Sequence, residues 1–363
     1  MGRIILYLFL LLSVCTEALS QTGSKDGGYK ITGRIVGLPD GDLFLVTDNE
    51  VKIDTLAHTK SVNGNFFFSG QVNEVIMVHM VTTKQEILAS MMLENAEFTI
   101  MGPNLVGGGG PSQELLAQFN QLDVEMVQER ERLQQFYVEA EKKKDRKKMV
   151  EVDAKFQRFL VDVQAKELDL LKRNADTYVA AYIVSSTMCD IDLEKLTMRY
   201  NLLGKSAKET SYGRAIAAQI ECYERVEIGS VAPDFSLDNT TLHEIKGNLK
   251  IVNFWATWNA PCRAENVNLL RIYEQYHLKG VEIISVSLDE NQKMWRKAIM
   301  EDGITEWRHI ANFDGKYTEM IQSYCLQTVP YTYVLDEDNV IVDKGLNGEA
   351  LRKKIGELLK KNK

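Results

Sequence analysis

Trp255-Ala256-Thr257-Trp258-Asn259-Ala260-Pro261-Cys262-Arg263 is the stretch on which the fold turns. The apolar run Ile251-Val252-Asn253-Phe254 ahead of it reads as a buried strand. Residues 261–278 read as a helix with Leu269, Leu270, Tyr273 and Tyr276 facing inward. The stretch therefore occupies a strand-to-helix turn. The N-terminus of a helix carries partial positive charge, which favours an anion and lowers a thiol's pKa from about 8.5. Asn259 stands at the tip of that turn, and Cys262 lies about one helical turn further in.

The surroundings extend the pattern. Val281-Glu282-Ile283-Ile284-Ser285-Val286-Ser287-Leu288 reads as a second strand, and residues 291–302 as a helix. Residues 331–335 and 340–342 read as a hairpin across Asp336-Glu337-Asp338-Asn339, where Asn339 takes the left-handed position at low cost. Leu351, Ile355, Leu358 and Leu359 line a closing helix. Strands alternating with helices imply an α/β domain over residues 228–363, with a central sheet covered on both faces.

With the stretch so placed, it resembles the active-site motif W-A-x-W-C-x-P-C-[RK] of the TlpA/ResA-like thioredoxin-fold thiol–disulfide oxidoreductases, near their boundary with the AhpC/TSA redoxins. Val231-Ala232-Pro233-Asp234-Phe235-Ser236-Leu237 is similar to the family's lead-in segment, and Thr328-Val329-Pro330 to its cis-proline loop. The whole chain resembles exported Bacteroidetes-type proteins in which a small β domain of unknown function and a helical region precede a thioredoxin domain. The resemblance implies a thioredoxin fold and a site formed by Asn259 and Cys262, with Trp258, Pro261, Val329 and Pro330 around the substrate. The first cysteine of the family motif attacks and the second resolves, while the residue before the cis-proline offers its backbone to an extended substrate. Asn259 holds the attacking position, and an amide cannot form a thiolate. Asn253 stands where thioredoxin has a buried acid, and Val267 where a helix proline is often found. Asn259-Ala260-Pro261-Cys262 is also similar to the T-x-x-C of peroxiredoxins, although Trp255 replaces the proline expected before it. An impaired thiol at Cys262 is favoured over a competent peroxidase, because a thiol deep in a helix is hard to reach and to ionise. Arg263 is expected to point to solvent.

Upstream, residues 28–105 read as a small β sandwich or barrel. Tyr29-Lys30-Ile31-Thr32-Gly33-Arg34-Ile35 alternates, and turn signals stand at Pro39-Asp40-Gly41 and at Asn63-Gly64 before Phe66-Phe67-Phe68. The phenylalanines are expected in a core. Gly107-Gly108-Gly109-Gly110 reads as a linker, and without a following Lys-Ser/Thr it is no phosphate loop. Residues 112–226 read as helical, with Pro111-Ser112 and Glu114 close behind as the N-terminal cap. Leu115, Phe119, Leu122 and Met126 form one apolar stripe, and Val152, Phe156, Phe159 and Val163 a second, so an antiparallel hairpin is expected. The charged run 141–148 reads as its solvated junction, and shorter helices over 176–186, 192–203 and 207–224 follow.

Length, charge and cysteines bound the function. A chain of 363 residues implies two or three domains, and a net charge of −8 argues against a nucleic-acid partner. Arg3, the apolar residues 4–12 and Ala18-Leu19-Ser20 before Gln21 read as a secretory signal peptide over residues 1–20, placing the protein in the periplasm or cell envelope. Leu12-Ser13-Val14-Cys15 is a rival lipoprotein box, disfavoured by the size of Val14. No later segment is long and apolar enough to span a membrane. Export permits disulfides, but Cys189, Cys222, Cys262 and Cys325 allow three pairings and the spacing selects none; a Cys262–Cys325 bond is not expected, and Cys189 and Cys222 are read as packing residues. The five histidines have no ligand-like spacing, so neither a metal nor another cofactor is expected. Trp295 and Trp307 are read as core.

Two functions fit: an antioxidant or thiol–disulfide oxidoreductase limited to one-cysteine chemistry at Cys262, or a redox-inactive domain that grips extended or unfolded polypeptides. Partners are then protein thiols, disulfides or extended chains, with a homodimer built on the β domain and helices as a further expectation.

Overall fold

The structure, a computed structural model, describes residues 27–47, 54–237, 240–313 and 318–361. The expected signal peptide and Cys15 lie outside the described residues. By internal contacts the chain divides into two units, Met1–Val179 and Ala180–Lys363, so the helices of residues 112–226 fall on both sides of the division.

The first unit begins with eight strands: β1 (Tyr29–Arg34), β2 (Gly41–Thr47), β3 (Thr55–Ser61), β4 (Asn65–Gly70), β5 (Ile76–Thr82), β6 (Ile87–Leu93), β7 (Glu97–Gly102) and β8 (Leu105–Gly108). They form two four-stranded sheets, ordered β4-β1-β7-β8 and β3-β2-β5-β6. Alternating side chains of both sheets, among them Ile31, Phe68, Phe98, Leu45 and Met80, share one core. Asn63 and Gly64 both have positive φ, as the tight turn between β3 and β4 requires. Of the three phenylalanines, Phe66 and Phe68 are buried, whereas Phe67 points out, as strand alternation dictates.

The glycine run is not a linker. Gly107 and Gly108 pair within β8 opposite Thr99 and Phe98. Gly109 then caps α1 (Gly110–Lys142) from the left-handed region, φ 90°. Ser112 is not the cap either: its amide and hydroxyl donate to the Glu94 carboxylate at 3.1 and 3.2 Å, so an acid from the sheet meets the positive end of the helix. α1 and α2 (Arg146–Arg173) pack together, and Leu115, Phe119, Val152 and Val163 of the two stripes are buried. The charged junction is exposed, and the Asp145 side chain accepts from the Lys148 amide to start α2.

The second unit opens with α3 (Tyr178–Ser185), which straddles the division, then α4 (Leu193–Leu202), α5 (Lys205–Lys208) and α6 (Ser211–Arg225). Residues 207–224 do not form one helix. Thr210 accepts from the Gly213 amide and caps α6 afresh. A short pair, β9 (Ser236–Leu237) and β10 (Thr240–Thr241), precedes the main sheet. That sheet contains β11 (Leu249–Trp255), β12 (Val281–Ser287), β13 (Arg308–Ala311), β14 (Tyr331–Asp336) and β15 (Ile341–Lys344), in the order β13-β12-β11-β14-β15. β12 runs parallel to β11, and β14 antiparallel to it. Every residue of central β11 is buried, which is why it reads as a continuous apolar run. Four helices accompany the sheet: α7 (Ala260–Tyr276), α8 (Gln292–Glu301), α9 (Thr318–Ser323) and α10 (Gly348–Lys361). Asn339 has φ 65° in the hairpin turn, and Leu351 and Ile355 of α10 are fully buried. β13 and α9 were not anticipated: both are short, and neither carries a clear apolar period.

Candidate functional site

The strand-to-helix turn is built as the sequence implies, and the Asn259 amide is bonded at both of its polar atoms. It is the N-cap of α7, and its Oδ1 accepts from the Cys262 amide at 3.1 Å. Its Nδ2 donates to the Val329 carbonyl at 3.2 Å, across 70 positions of sequence. Asparagine is among the best N-cap residues because its short side chain meets an unpaired amide of the first turn. The same amide group thus closes the helix and ties it to the loop before Pro330. The Val329–Pro330 peptide is cis, as the resemblance implied.

Cys262 is fully buried. Burial pushes its thiol up to about 11, against a weaker lowering by nearby backbone amides, and the Asp289 carboxylate adds to the rise. Asp289 was missed in the sequence. Its carboxylate accepts from the Thr257 amide at 2.9 Å, the Thr257 hydroxyl at 2.6 Å and the Ser287 hydroxyl at 2.6 Å, which pins the motif loop to the end of β12. An acid two residues beyond a strand gives no local signal for such a clamp.

Arg263 does not point freely into solvent. It makes a bidentate pair with Asp302 at 2.6 Å, which in turn accepts from Asn266 at 2.8 Å. Three further polar groups are buried in the same unit, of which Lys250 lies at the other end of β11 from the motif. Asn253 is buried, and neither polar atom of its amide has a partner among the described residues. Glu265 is buried and accepts from the Gly348 amide at the start of α10. Lys250 is buried on β11, donating to the Ile245 carbonyl and to Asn339 Oδ1, and burial lowers its pKa. Val267 lies on the exposed side of an unbroken α7.

Trp258 is 71% exposed, and Pro261 beside it is also exposed, whereas Trp255 is buried. Val329 is buried; its carbonyl takes the Asn259 bond, and its own N–H has no acceptor among the described residues. The structure therefore brings Trp258, Asn259, Pro261, Cys262, Val329 and Pro330 to one end of the sheet. Trp307 fills the core, with its indole N–H on Ser285 Oγ at 2.9 Å, and Trp295 packs against that core. Among the described residues no cluster of histidine, cysteine or acid could hold a metal, and no helix is long and apolar enough to cross a membrane.

Cys222 is not a packing residue. It forms a disulfide with Cys325, which lies just past α9 in a left-handed turn. The pairing could not be read from spacing, since 103 residues separate the two.

The central sheet, the helix it feeds and the cis-proline loop opposite define a thioredoxin-like domain. Residues 228–344 match the AhpC/TSA family, and residues 29–116 match a domain of unknown function, DUF4369. Similar proteins include the thiol-disulfide oxidoreductase ResA of Bacillus thuringiensis subsp. konkukian, 29% identical over 150 residues, covering 38% of this chain and 80% of that one. ResA of Oceanobacillus iheyensis is 39% identical over 123 residues, covering 31% of this chain and 62% of its own. Among solved structures, the thioredoxin domain of a thiol-disulfide oxidoreductase from Bacteroides vulgatus is 30% identical, with a TM-score of 0.35 over 37% of this chain and 98% of that one.

Proposed function

We propose that the protein is an exported, thioredoxin-like member of the thiol–disulfide oxidoreductase and antioxidant superfamily in the cell envelope. Its motif site holds extended or unfolded polypeptides without dithiol turnover, and at most one-cysteine chemistry remains at Cys262. The observation that carries this reading is the pair of hydrogen bonds of Asn259, whose Oδ1 accepts from the Cys262 N–H and whose Nδ2 donates to the Val329 carbonyl. A side chain that closes the turn in this way cannot attack a disulfide. Cys262 does not replace it: with a pKa of about 11, about one thiol in ten thousand is ionised at pH 7.

What remains is a recognition surface. Trp258 offers an exposed aromatic face, and Val329, beside Pro330, an N–H without an acceptor among the described residues. An extended chain adds there as a strand through backbone hydrogen bonds, with the indole covering its side chains. Protein thiols or disulfides borne on such chains are the expected partners.

The test is titration of the full-length protein with a reduced, carboxymethylated polypeptide. Trp258→Ala is expected to weaken binding by about tenfold. Equal affinity in the variant overturns the assigned surface. Catalytic insulin reduction by the native protein, at a rate typical of two-cysteine relatives, overturns the absence of turnover. Asn259→Cys is expected to gain that activity.

A further inference from the structure

We infer that the Cys222–Cys325 disulfide is a thiol–disulfide exchange site that takes electrons from a dithiol borne on a polypeptide. This does not rest on the reading of the motif site, since none of Trp258, Asn259 or Cys262 takes part.

Three observations carry it. The first is access. Both cysteines are partly exposed, in contrast to fully buried Cys262, and an attacking thiolate needs an open path to one sulfur. The second is an asymmetry between the two sulfurs. Gln219 lies one turn before Cys222 on α6, and its Nε2 donates to Cys325 Sγ at 3.5 Å. An amide N–H on a sulfur stabilises negative charge there, which makes Cys325 the better leaving group and Cys222 the attacked atom. The third is what the bond holds. Cys325 follows α9 at a backbone φ of 53° and begins the segment that runs to the Val329–Pro330 loop, so opening the bond releases α6 from that segment.

The exchange balances without a further reactant. One thiolate of the incoming dithiol bonds to Cys222 Sγ as the S–S bond breaks, and Cys325 leaves as a thiolate on the Gln219 amide. The second thiolate of the dithiol attacks the partner's own sulfur in the mixed disulfide and expels Cys222. The partner gives up two electrons and two protons and becomes a disulfide, and Cys222 and Cys325 become thiols.

The test uses the folded full-length protein in a Cys189→Ser background and a synthetic peptide with two cysteines in reduced form. Acid quenching, alkylation and mass spectrometry follow the sulfurs. The expected result is one peptide disulfide formed per Cys222–Cys325 bond lost, in buffer that leaves the circular dichroism spectrum native. Gln219→Leu is expected to slow this by roughly 3–10-fold, through the poorer leaving group, without changing the denaturation midpoint. With Cys325→Ser and the oxidised peptide, the reverse step is expected to stop at a Cys222–peptide adduct. A peptide that stays reduced beside an intact Cys222–Cys325 bond, with opening seen only when the chain is unfolded, overturns the assignment. An unchanged rate in Gln219→Leu overturns Cys325 as the leaving sulfur.

Discussion

At residue 259 a carboxamide in place of a thiol converts a nucleophile's position into a fastener. The sequence showed that the thiolate was missing; it did not show the fastening, because Val329 lies 70 positions away. Asn259→Ala removes both bonds and is expected to cost about 1–2 kcal/mol, whereas Asn259→Ser keeps a cap, loses the reach to Val329 and costs less. Urea midpoints of the two variants check the order. Cys262 gives a prediction in pH. Its folded value is about 11 and its ordinary value 9.0, so the native state keeps a proton that the unfolded chain has already lost. The thiol's contribution is therefore fully present below about pH 9 and is lost as pH rises through about 11, an extra loss of roughly 2–3 kcal/mol. Cys262→Ala is less stable at neutral pH through its cavity but lacks this extra slope. Denaturation of both proteins between pH 8 and 11 isolates the difference, and parallel curves contradict the buried thiol.

At the scale of elements, the strands and long helices were legible because their periodicity is local. β11 reads as an apolar run since both of its faces are covered, and α1 and α2 carry stripes that pack on one another. The errors fall where a distant partner decides. The glycine run looked like a flexible joint, yet its backbone continues a strand and then turns left-handed to start a helix whose Ser112 amide is met by Glu94, just past the end of β6. A Cβ on Gly109 would sit 2.3 Å from the Phe98 ring at a φ of 90°. Gly109→Ala is accordingly expected to destabilise by about 1–3 kcal/mol, from left-handed strain plus displacement of a core ring. Ala at Gly107, which has ordinary φ and no close neighbour, is expected to stay within about 0.5 kcal/mol. Thermal melts of the two variants compare a constrained glycine with an unconstrained one, and equal shifts would restore the linker reading.

For the whole molecule, the change from helical periodicity to alternating strands and helices set the expected start of the α/β domain at residue 228. The bonds that hold this domain together begin earlier. Cys222 of α6 is covalently joined to Cys325, and Lys344 of β15 donates to Glu227 at 2.8 Å and to the Val226 carbonyl. Four well-spaced cysteines hide this in the sequence, because pairing is chosen by three-dimensional proximity and not by spacing. A disulfide closing a loop of 103 residues restricts the unfolded chain substantially, and its loss typically costs about 2–5 kcal/mol. A fragment of residues 176–363 is therefore expected to unfold at a clearly higher urea concentration than a fragment of residues 228–363, which leaves Cys325 without its partner. Cys222→Ser in the longer fragment separates the covalent contribution from the packing of α6. If the bond dominates, that variant falls most of the way to the shorter fragment; if Ile216 and Ile220 of α6 dominate, it stays near the parent. Equal midpoints for the two parent fragments would place the stability boundary at residue 228, where the strand and helix pattern alone puts it.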